Sequence, residues 1–198
     1  MTSAGFPRAA LFDLDGTLLD SAPDMLATTN RMRASRGIAP MTLDLLRPHV
    51  SKGARAMLAA AVPEMEQAPR EAMVPEFRAL DQATRGRHSV LFDGVAAMLQ
   101  ALEDDGARWG IITNKPHTFT HRLVPQLGFS VAPDVVVSGD TTAEAKPSTK
   151  PMFYACEQID IVPEACLYVG DAERDMQEGK NAGMKTVLVS WGYIHADD

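Results

Sequence analysis

The sequence predicts an α/β fold, in which a doubly wound parallel sheet is covered by helices and carries a small all-helical insert. Short apolar runs end in polar, glycine- or aspartate-containing corners, and helical patterns alternate with these runs. One long segment contains helical patterns alone. Continuous rather than alternating apolarity is typical of strands buried on both faces, as in a parallel sheet between helices.

The strands and helices of the core are predicted from this alternation. The apolar runs predict strands at residues 9–14, 109–112, 135–137, 167–169 and 186–189. Apolar positions three and four apart predict helices at residues 94–103, 119–127, 151–159 and 174–182. Strands that alternate with helices in this way indicate successive βα units and a parallel sheet.

The insert is expected to contain helices only, because its segments are rich in Ala, Met and Arg and show no buried strand pattern. Glycine and proline residues divide it, and the predicted helices cover residues 23–35, 51–61 and 69–84. We therefore expect a core domain of residues 1–20 and 90–198, and a helical cap domain of residues 21–89. Residues 20–24 and 86–93 are expected to act as hinges.

The length, charge and composition of the chain limit the partners and locations that we expect for the protein. A chain of 198 residues has room for one main domain with an elaboration. A formal net charge of -7 argues against a nucleic-acid partner. No apolar run approaches the ~20 residues of a membrane span, and no signal peptide is evident. Cys156 and Cys166 form no C-x-x-C pair, so a reducing cytoplasm is expected.

Two carboxylates, Asp13 and Asp15, follow the first predicted strand, and ligands bind at the carboxyl ends of strands in open α/β sheets. The acids repel each other and lose hydration there, so a bound cation is their natural partner. A turn in which they cap backbone amides is the alternative. A calcium loop of the EF-hand type is disfavoured, because its sixth and twelfth positions hold Leu18 and Asp24 instead of Gly and Glu.

Polar residues also follow later strands. Thr113 and Asn114 supply a hydroxyl and an amide that can donate to phosphate oxygens, although a polar turn capped by Thr113 is the alternative. Lys146 precedes a proline that stiffens the chain; a solitary lysine is more often a solvated surface charge. Asp171 and Asp175 follow another strand, where helix capping is the alternative for Asp175.

The ordered combination of DLDGT, T-N, K-P and G-D-x-x-x-D resembles the haloacid dehalogenase superfamily of phosphohydrolases over nearly the whole chain. The resemblance implies a Rossmannoid core with a helical cap, and hydrolysis of a small phosphomonoester. It makes Asp13 the nucleophile that forms an aspartyl-phosphate. Asp15 then becomes the acid and base that protonates the leaving oxygen and activates water. An acid at that position disfavours the dehalogenases of the superfamily.

The same resemblance implies the rest of the site. Thr113 and Lys146 hold the transferring phosphoryl group, and Asn114 supports the phosphate loop. The implied cofactor is Mg²⁺, with Asp13, the backbone carbonyl of Asp15, and Asp171 as its ligands. Asp175 is implied to order the site without binding the metal directly.

The resemblance matches residues 47–53 (RPHVSKG) to the cap loop that faces the active site in these enzymes. Arg47 and Lys52 are therefore expected to contact a substrate anion or hydroxyl group, with plain solvation as the alternative. The third motif departs from the family, because KPSTKP stands where KPxPxP is common.

Several segments, including VSKGARAML and WGYIHADD, are most similar to phosphoglycolate phosphatases and to a branch that acts on N-acetylmuramic acid 6-phosphate. This places N-acetylmuramic acid 6-phosphate slightly ahead of 2-phosphoglycolate as the implied substrate. Two alternatives remain open: a sugar phosphomutase similar to β-phosphoglucomutase, and a non-catalytic phosphate-binding module. The expected partner is a small phosphomonoester, and the protein is expected to be a monomer or a homodimer.

Overall fold

The computed structural model describes residues 7–84 and 86–193. Its strands are β1 (Ala9–Phe12), β2 (Leu19–Asp20), β3 (Val90–Leu91), β4 (Arg108–Ile112), β5 (Val135–Val137), β6 (Cys166–Gly170) and β7 (Lys185–Leu188). Its helices are α1 (Ala22–Ala34), α2 (Leu43–Leu46), α3 (Ala54–Ala61), α4 (Gln67–Ala72), α5 (Val74–Thr84), α6 (Val95–Asp104), α7 (His117–Leu123), α8 (Lys150–Ile159) and α9 (Glu173–Asn181).

The main sheet has five strands in the order β5-β4-β1-β6-β7. All neighbouring strands are parallel, and β1 is central, with Phe12 opposite Ile111 on one side and Val169 on the other. All four residues of β1 are buried, as continuous apolarity indicates for a strand covered on both faces. The predicted doubly wound parallel sheet is confirmed.

Two hydrophobic layers cover the faces of this sheet. On one face, Ala9 and Leu11 belong to a cluster with Met152 and Ile159 of α8. On the other, the alternate strand residues Ala10 and Phe12 belong to a cluster with apolar residues of α6 and α7, including Leu99 and Leu123. Each fully buried side chain of this kind contributes about 1.5–3 kcal/mol. This packing fixes the strand ends on which the polar residues lie.

The described residues form two compact units. One contains residues 7–19 and Leu91–Gly192, and the other contains Asp20–Val90 and Tyr193. The second unit is built from α1 to α5, in keeping with its helical patterns. Its assignment as a cap domain, with hinges at either end, stays a prediction. Among the described residues, no helix combines the length and apolarity needed to cross a bilayer.

The helix expected at residues 69–84 is wrong as a single element. The structure has α4 and α5 there, with Met73 between them. Pro75 explains the break, because its ring would clash with the carbonyl four residues earlier in a continuous helix, whereas proline is tolerated in a first turn. The short helix α2 and the two-residue strands β2 and β3 were not predicted, since elements of this length carry no periodic signal.

Within the helical unit, two side chains connect the start of α1 to distant parts of the chain. The Tyr193 hydroxyl accepts hydrogen bonds from the backbone amides of Ser21 (2.7 Å) and Ala22 (2.9 Å), and donates to Asp20 Oδ1 (2.9 Å). These amides are among those that a helix leaves without an intrahelical acceptor. The Ser21 side chain makes no capping bond, so Tyr193 acts as the cap.

The second group is the buried carboxylate of Asp24, in the first turn of α1. It accepts hydrogen bonds from the backbone amides of Gly86 (2.7 Å) and His88 (2.9 Å), and from the Ser89 hydroxyl (2.5 Å). Asp24 therefore ties the segment after α5 to the beginning of α1.

Replacing Asp24 by alanine should lower the free energy of unfolding by about 1–3 kcal/mol, because three donors lose their acceptor. Urea denaturation followed by circular dichroism measures this change. Asp44→Ala is the matched control, since Asp44 is an exposed carboxylate in the first turn of α2, and its loss should cost no more than about 0.5 kcal/mol. Similar changes in both variants would show that the Asp24 contacts contribute nothing specific.

Candidate active site

The polar residues expected from the sequence gather at the carboxyl edge of the main sheet. The Asp13 amide donates to the Val169 carbonyl (2.9 Å), and the Thr113 amide donates to the Val137 carbonyl (2.9 Å). These bonds extend the ladders beyond β1 and β4 by one residue. Both side chains, which are buried, are thereby held directly at the strand ends.

A buried ammonium group, that of Lys146, lies at the centre of the site. Its Nζ is 3.1 Å from Asp13 Oδ1, and it donates hydrogen bonds to Asp175 Oδ1 (2.7 Å) and the Tyr168 hydroxyl (3.0 Å). Its side chain is 1% exposed. Lys146 is therefore not the solvated surface lysine that was its alternative, and its charge acts inside the site.

Asn114 holds the backbone of this lysine. Its Nδ2 donates to the Lys146 carbonyl (3.0 Å), and its Oδ1 accepts from the Lys146 amide (3.0 Å). The Asn114 side chain is thus engaged in fixing the loop that carries the ammonium group. This geometry favours a positioning role, in which Asn114 acts on phosphate through Lys146.

Three buried carboxylates form a cluster that suits a metal ion. Asp13, Asp171 and Asp175 each offer an oxygen, and these oxygens all lie within 4.8 Å of one another. Oxygen ligands of this type are those that Mg²⁺ prefers. Asp175 has both oxygens engaged, with Oδ1 on Lys146 and Oδ2 accepting from the Ala172 amide (3.1 Å). Asp13 and Asp171 are therefore the better candidates for direct ligands.

The crowding of charge shifts the pKa values of the buried groups. The pKa of Asp13 is raised to about 7, mainly because the group is buried; Lys146 opposes the rise, and the charges of Asp175, Asp171 and Asp15 contribute to it. Burial alone would lower the pKa of Lys146, but Asp13, Tyr168 and Asp175 hold it well above its ordinary value. A further positive charge beside Asp13 would favour the ionised carboxylate that a nucleophile requires.

Two glycines let the backbone approach the acidic cluster. A Cβ atom on Gly170 would lie 2.4 Å from the Cβ of Asp175, and one on Gly192 would lie 2.3 Å from the Cβ of Asp171. The neighbouring Trp191 donates from its indole nitrogen to the Thr17 carbonyl (3.1 Å). This role of Gly192 carries no signal in the sequence, because Gly192 lies far along the chain from Asp171 and from the motifs.

Asp15 is held by a lysine that the sequence analysis did not single out. Lys115 Nζ lies 2.6 Å from Asp15 Oδ1 and 2.5 Å from Oδ2. The Lys115 side chain is 2% exposed, whereas that of Asp15 is 24% exposed. The carboxylate therefore contacts a buried ammonium group on its inner side and is open to solvent on the other.

The two residues expected to contact substrate from the cap lie in the helical unit. Arg47 Nη2 is 2.8 Å from Asp20 Oδ2, and its guanidinium lies 5.5 Å from the centre of the Tyr193 ring. Lys52 lies in the turn before α3, with its amide donating to the His49 carbonyl (3.2 Å). Arg47 thus has a partner within its own unit, and substrate contacts by either residue stay a prediction.

Comparison with known proteins assigns the chain to a family. The profile of the haloacid dehalogenase-like hydrolases matches residues 10–189, which include every strand end described above. The chain belongs to the haloacid dehalogenase-like hydrolase family. The resemblance drawn from the motifs is thereby confirmed, as is the assignment of the chain to hydrolytic enzymes.

Curated relatives of this chain are named as phosphatases. The chain is 52% identical to a phosphoglycolate phosphatase of Xanthomonas campestris pv. campestris, covering 98% of this chain and 87% of the relative. It is 41% identical to an N-acetylmuramic acid 6-phosphate phosphatase of Pseudomonas aeruginosa, covering 96% and 85%. A solved structure of a haloacid dehalogenase-like family protein from Streptococcus pneumoniae superposes with a TM-score of 0.80 at 20% identity, covering 96% of this chain and 87% of that chain, which shows the shared fold.

Gly192→Ala should raise the dissociation constant for Mg²⁺ on the order of 10-fold, because the added methyl group would displace Asp171. Titration calorimetry without substrate measures this constant. Gly110→Ala is the matched control, since its Cβ would meet Val135 Cγ1 at 2.5 Å within the sheet. The control should lose stability but keep its Mg²⁺ affinity within about two-fold. Equal weakening of Mg²⁺ binding in both variants would contradict the role of Gly192.

Proposed function

We propose that this protein is a Mg²⁺-dependent phosphatase that hydrolyses small phosphomonoesters through an aspartyl-phosphate on Asp13. The observation that carries the proposal is the position of Asp13, whose Oδ1 lies 3.1 Å from Lys146 Nζ inside the carboxylate cluster. Phosphoryl transfer depends mainly on positioning and on neutralising the charge of the phosphoryl oxygens. A carboxylate beside a buried ammonium group and a candidate cation site provides both.

In the first step, a carboxylate oxygen of Asp13 attacks phosphorus, and the bond from phosphorus to the leaving oxygen breaks. Asp15 gives a proton to that oxygen, so the alcohol leaves neutral. In the second step, water attacks the phosphorus of the aspartyl-phosphate and gives a proton to Asp15. The bond from phosphorus to Asp13 then breaks, releasing phosphate and restoring both acids.

The remaining residues bind and orient the phosphoryl group. Lys146 neutralises its oxygens, and Thr113 donates a hydrogen bond from its hydroxyl. Asp13, the backbone carbonyl of Asp15, and Asp171 would hold Mg²⁺, with Asp175 fixing Lys146 and the turn at Ala172. When bound, Mg²⁺ supplies positive charge between the carboxylates and the phosphate.

The substrate is proposed to be a small phosphomonoester that carries a carboxylate. The curated relatives are named for phosphoglycolate and for N-acetylmuramic acid 6-phosphate, and both names denote carboxylic acids. Their names as phosphatases favour hydrolysis over the phosphomutase alternative. A reducing cytoplasm is the proposed location, since Cys156 and Cys166 are free thiols whose sulfurs lie 3.8 Å apart.

Hydrolysis of p-nitrophenyl phosphate should require Mg²⁺ and should be lost in Asp13→Asn, because an amide is neither a nucleophile nor a good ligand for this cation. Release of p-nitrophenol with Mg²⁺, with excess chelator, and after Mg²⁺ is restored tests the metal. Circular dichroism of Asp13→Asn checks that its fold is intact. Full activity in chelator would exclude the metal, and near wild-type turnover of the variant would exclude this nucleophile.

Asp15→Asn should lower kcat by about 10²–10⁴-fold for an alkyl phosphate, the range typical of general acid–base groups. The loss should be smaller for p-nitrophenyl phosphate, because p-nitrophenolate leaves without needing a proton. The ratio of the two kcat values in wild type and variant measures this difference. Equal losses for both esters would mean that Asp15 does not act as the acid.

A further inference from the structure

The ion pair between Lys115 and Asp15 is built into the loop after β4. The Lys115 amide donates to Thr113 Oγ1 (3.2 Å), and its carbonyl accepts from the Gly139 amide (2.9 Å). Gly139 has no room for a side chain, since a Cβ there would lie 2.4 Å from the Asn114 carbonyl oxygen. The backbone of Lys115 is therefore fixed just after the end of β4.

This pair restrains the residue proposed as the acid. Both oxygens of Asp15 lie within 2.6 Å of Lys115 Nζ. A carboxyl group must direct one oxygen to the leaving oxygen of the substrate if it is to give that oxygen a proton. Asp15 must therefore give up at least one contact with Lys115 before the ester bond breaks. An anion that takes its place would keep the charge of the buried ammonium group compensated.

A substrate can supply that anion if its carboxylate lies near the leaving oxygen. In 2-phosphoglycolate the carboxylate is bonded to the same carbon as the oxygen that leaves phosphorus. When Asp15 contacts that oxygen, an ammonium group one hydrogen bond from Asp15 is within reach of the carboxylate. In N-acetylmuramic acid 6-phosphate, by contrast, the carboxylate is on the lactyl group at the other side of the sugar ring from the phosphate.

Lys146, a second cation of the core site, is not suited to this task. Lys146 Nζ already contacts Asp13, Asp175 and Tyr168, and it faces the phosphoryl group in the proposed mechanism. Lys115 contacts the acid instead of the nucleophile, so it lies on the side of the leaving group.

We propose that Lys115 selects phosphomonoesters that carry a carboxylate on the carbon of the leaving oxygen, by exchanging its ion pair with Asp15 for one with that carboxylate. No covalent bond changes in the exchange. The Lys115 ammonium group contacts Asp15 before the exchange and the substrate carboxylate after it. Asp15 then becomes available to the leaving oxygen. The inference rests on the proposed phosphatase activity and names a residue that selects its substrate.

The test compares 2-phosphoglycolate with ethyl phosphate, which has the same leaving carbon without the carboxylate. Lys115→Met should lower kcat/KM for 2-phosphoglycolate by about 10–100-fold, the scale of one hydrogen bond to a charged group. It should raise kcat/KM for ethyl phosphate, because Asp15 no longer has to leave a lysine. Lys115→Arg, which keeps the charge, should recover part of the preference for 2-phosphoglycolate.

The matched control is Lys150→Met, because Lys150 is an exposed lysine in an ion pair with Glu144. It should leave both kcat/KM values within about two-fold of wild type. A second measurement needs no mutation: the neutral amide of 2-phosphoglycolate should lose about 10–100-fold in kcat/KM on the wild-type enzyme. Lys115→Met should abolish this discrimination between acid and amide.

Proportional losses on 2-phosphoglycolate and ethyl phosphate in Lys115→Met would overturn the inference, as would an amide that wild type hydrolyses as well as the acid. A higher kcat/KM for N-acetylmuramic acid 6-phosphate than for 2-phosphoglycolate would also overturn it. All three outcomes leave the phosphatase proposal standing. Failure of wild type with Mg²⁺ to hydrolyse any of these esters or p-nitrophenyl phosphate would refute that proposal instead.

Discussion

The buried ammonium group of Lys146 is the interaction on which the arrangement of the site depends. Moving a charge out of water costs several kcal/mol, so Lys146 is stable in the interior only because Asp13 and Asp175 lie 3.1 and 2.7 Å from it. Those acids extend from β1 and from the start of α9, and the lysine follows β5. The five-stranded sheet brings these separate segments to one edge, and the charge compensation keeps them there.

The same cluster contains more buried carboxylates than the charge of Lys146 can balance. This excess of negative charge affects the protonation of Asp13. Asp13, Asp171 and Asp175 are buried together, and the ammonium group of Lys146 contacts Asp13 and Asp175. The raised pKa of Asp13 reflects the excess of negative charge as well as burial. A divalent cation relieves that excess and favours the ionised nucleophile. The metal-binding and nucleophilic roles proposed for Asp13 therefore share one electrostatic condition.

The fold was largely predictable because its signals are local. Continuous apolarity indicated β1. The rule that ligands bind at strand ends predicted that Asp13, Thr113 and Asp171 lie at one edge of the sheet. The pairing of Lys115 with Asp15 was not predictable, since a lysine after a strand is usually solvated and 100 residues separate the two. Gly192 was missed for a similar reason, because its constraint is the space beside Asp171. Local patterns do not encode contacts between distant side chains.

The Tyr193 cap of α1 also constrains when the protein can complete its fold. Its hydroxyl accepts from the Ser21 amide across 172 positions of the chain. During synthesis, α1 leaves the ribosome well before Tyr193, so the first amides of α1 must wait for this acceptor. Contacts between such distant residues form late and slow folding. The start of α1 therefore acquires its full set of hydrogen bonds late.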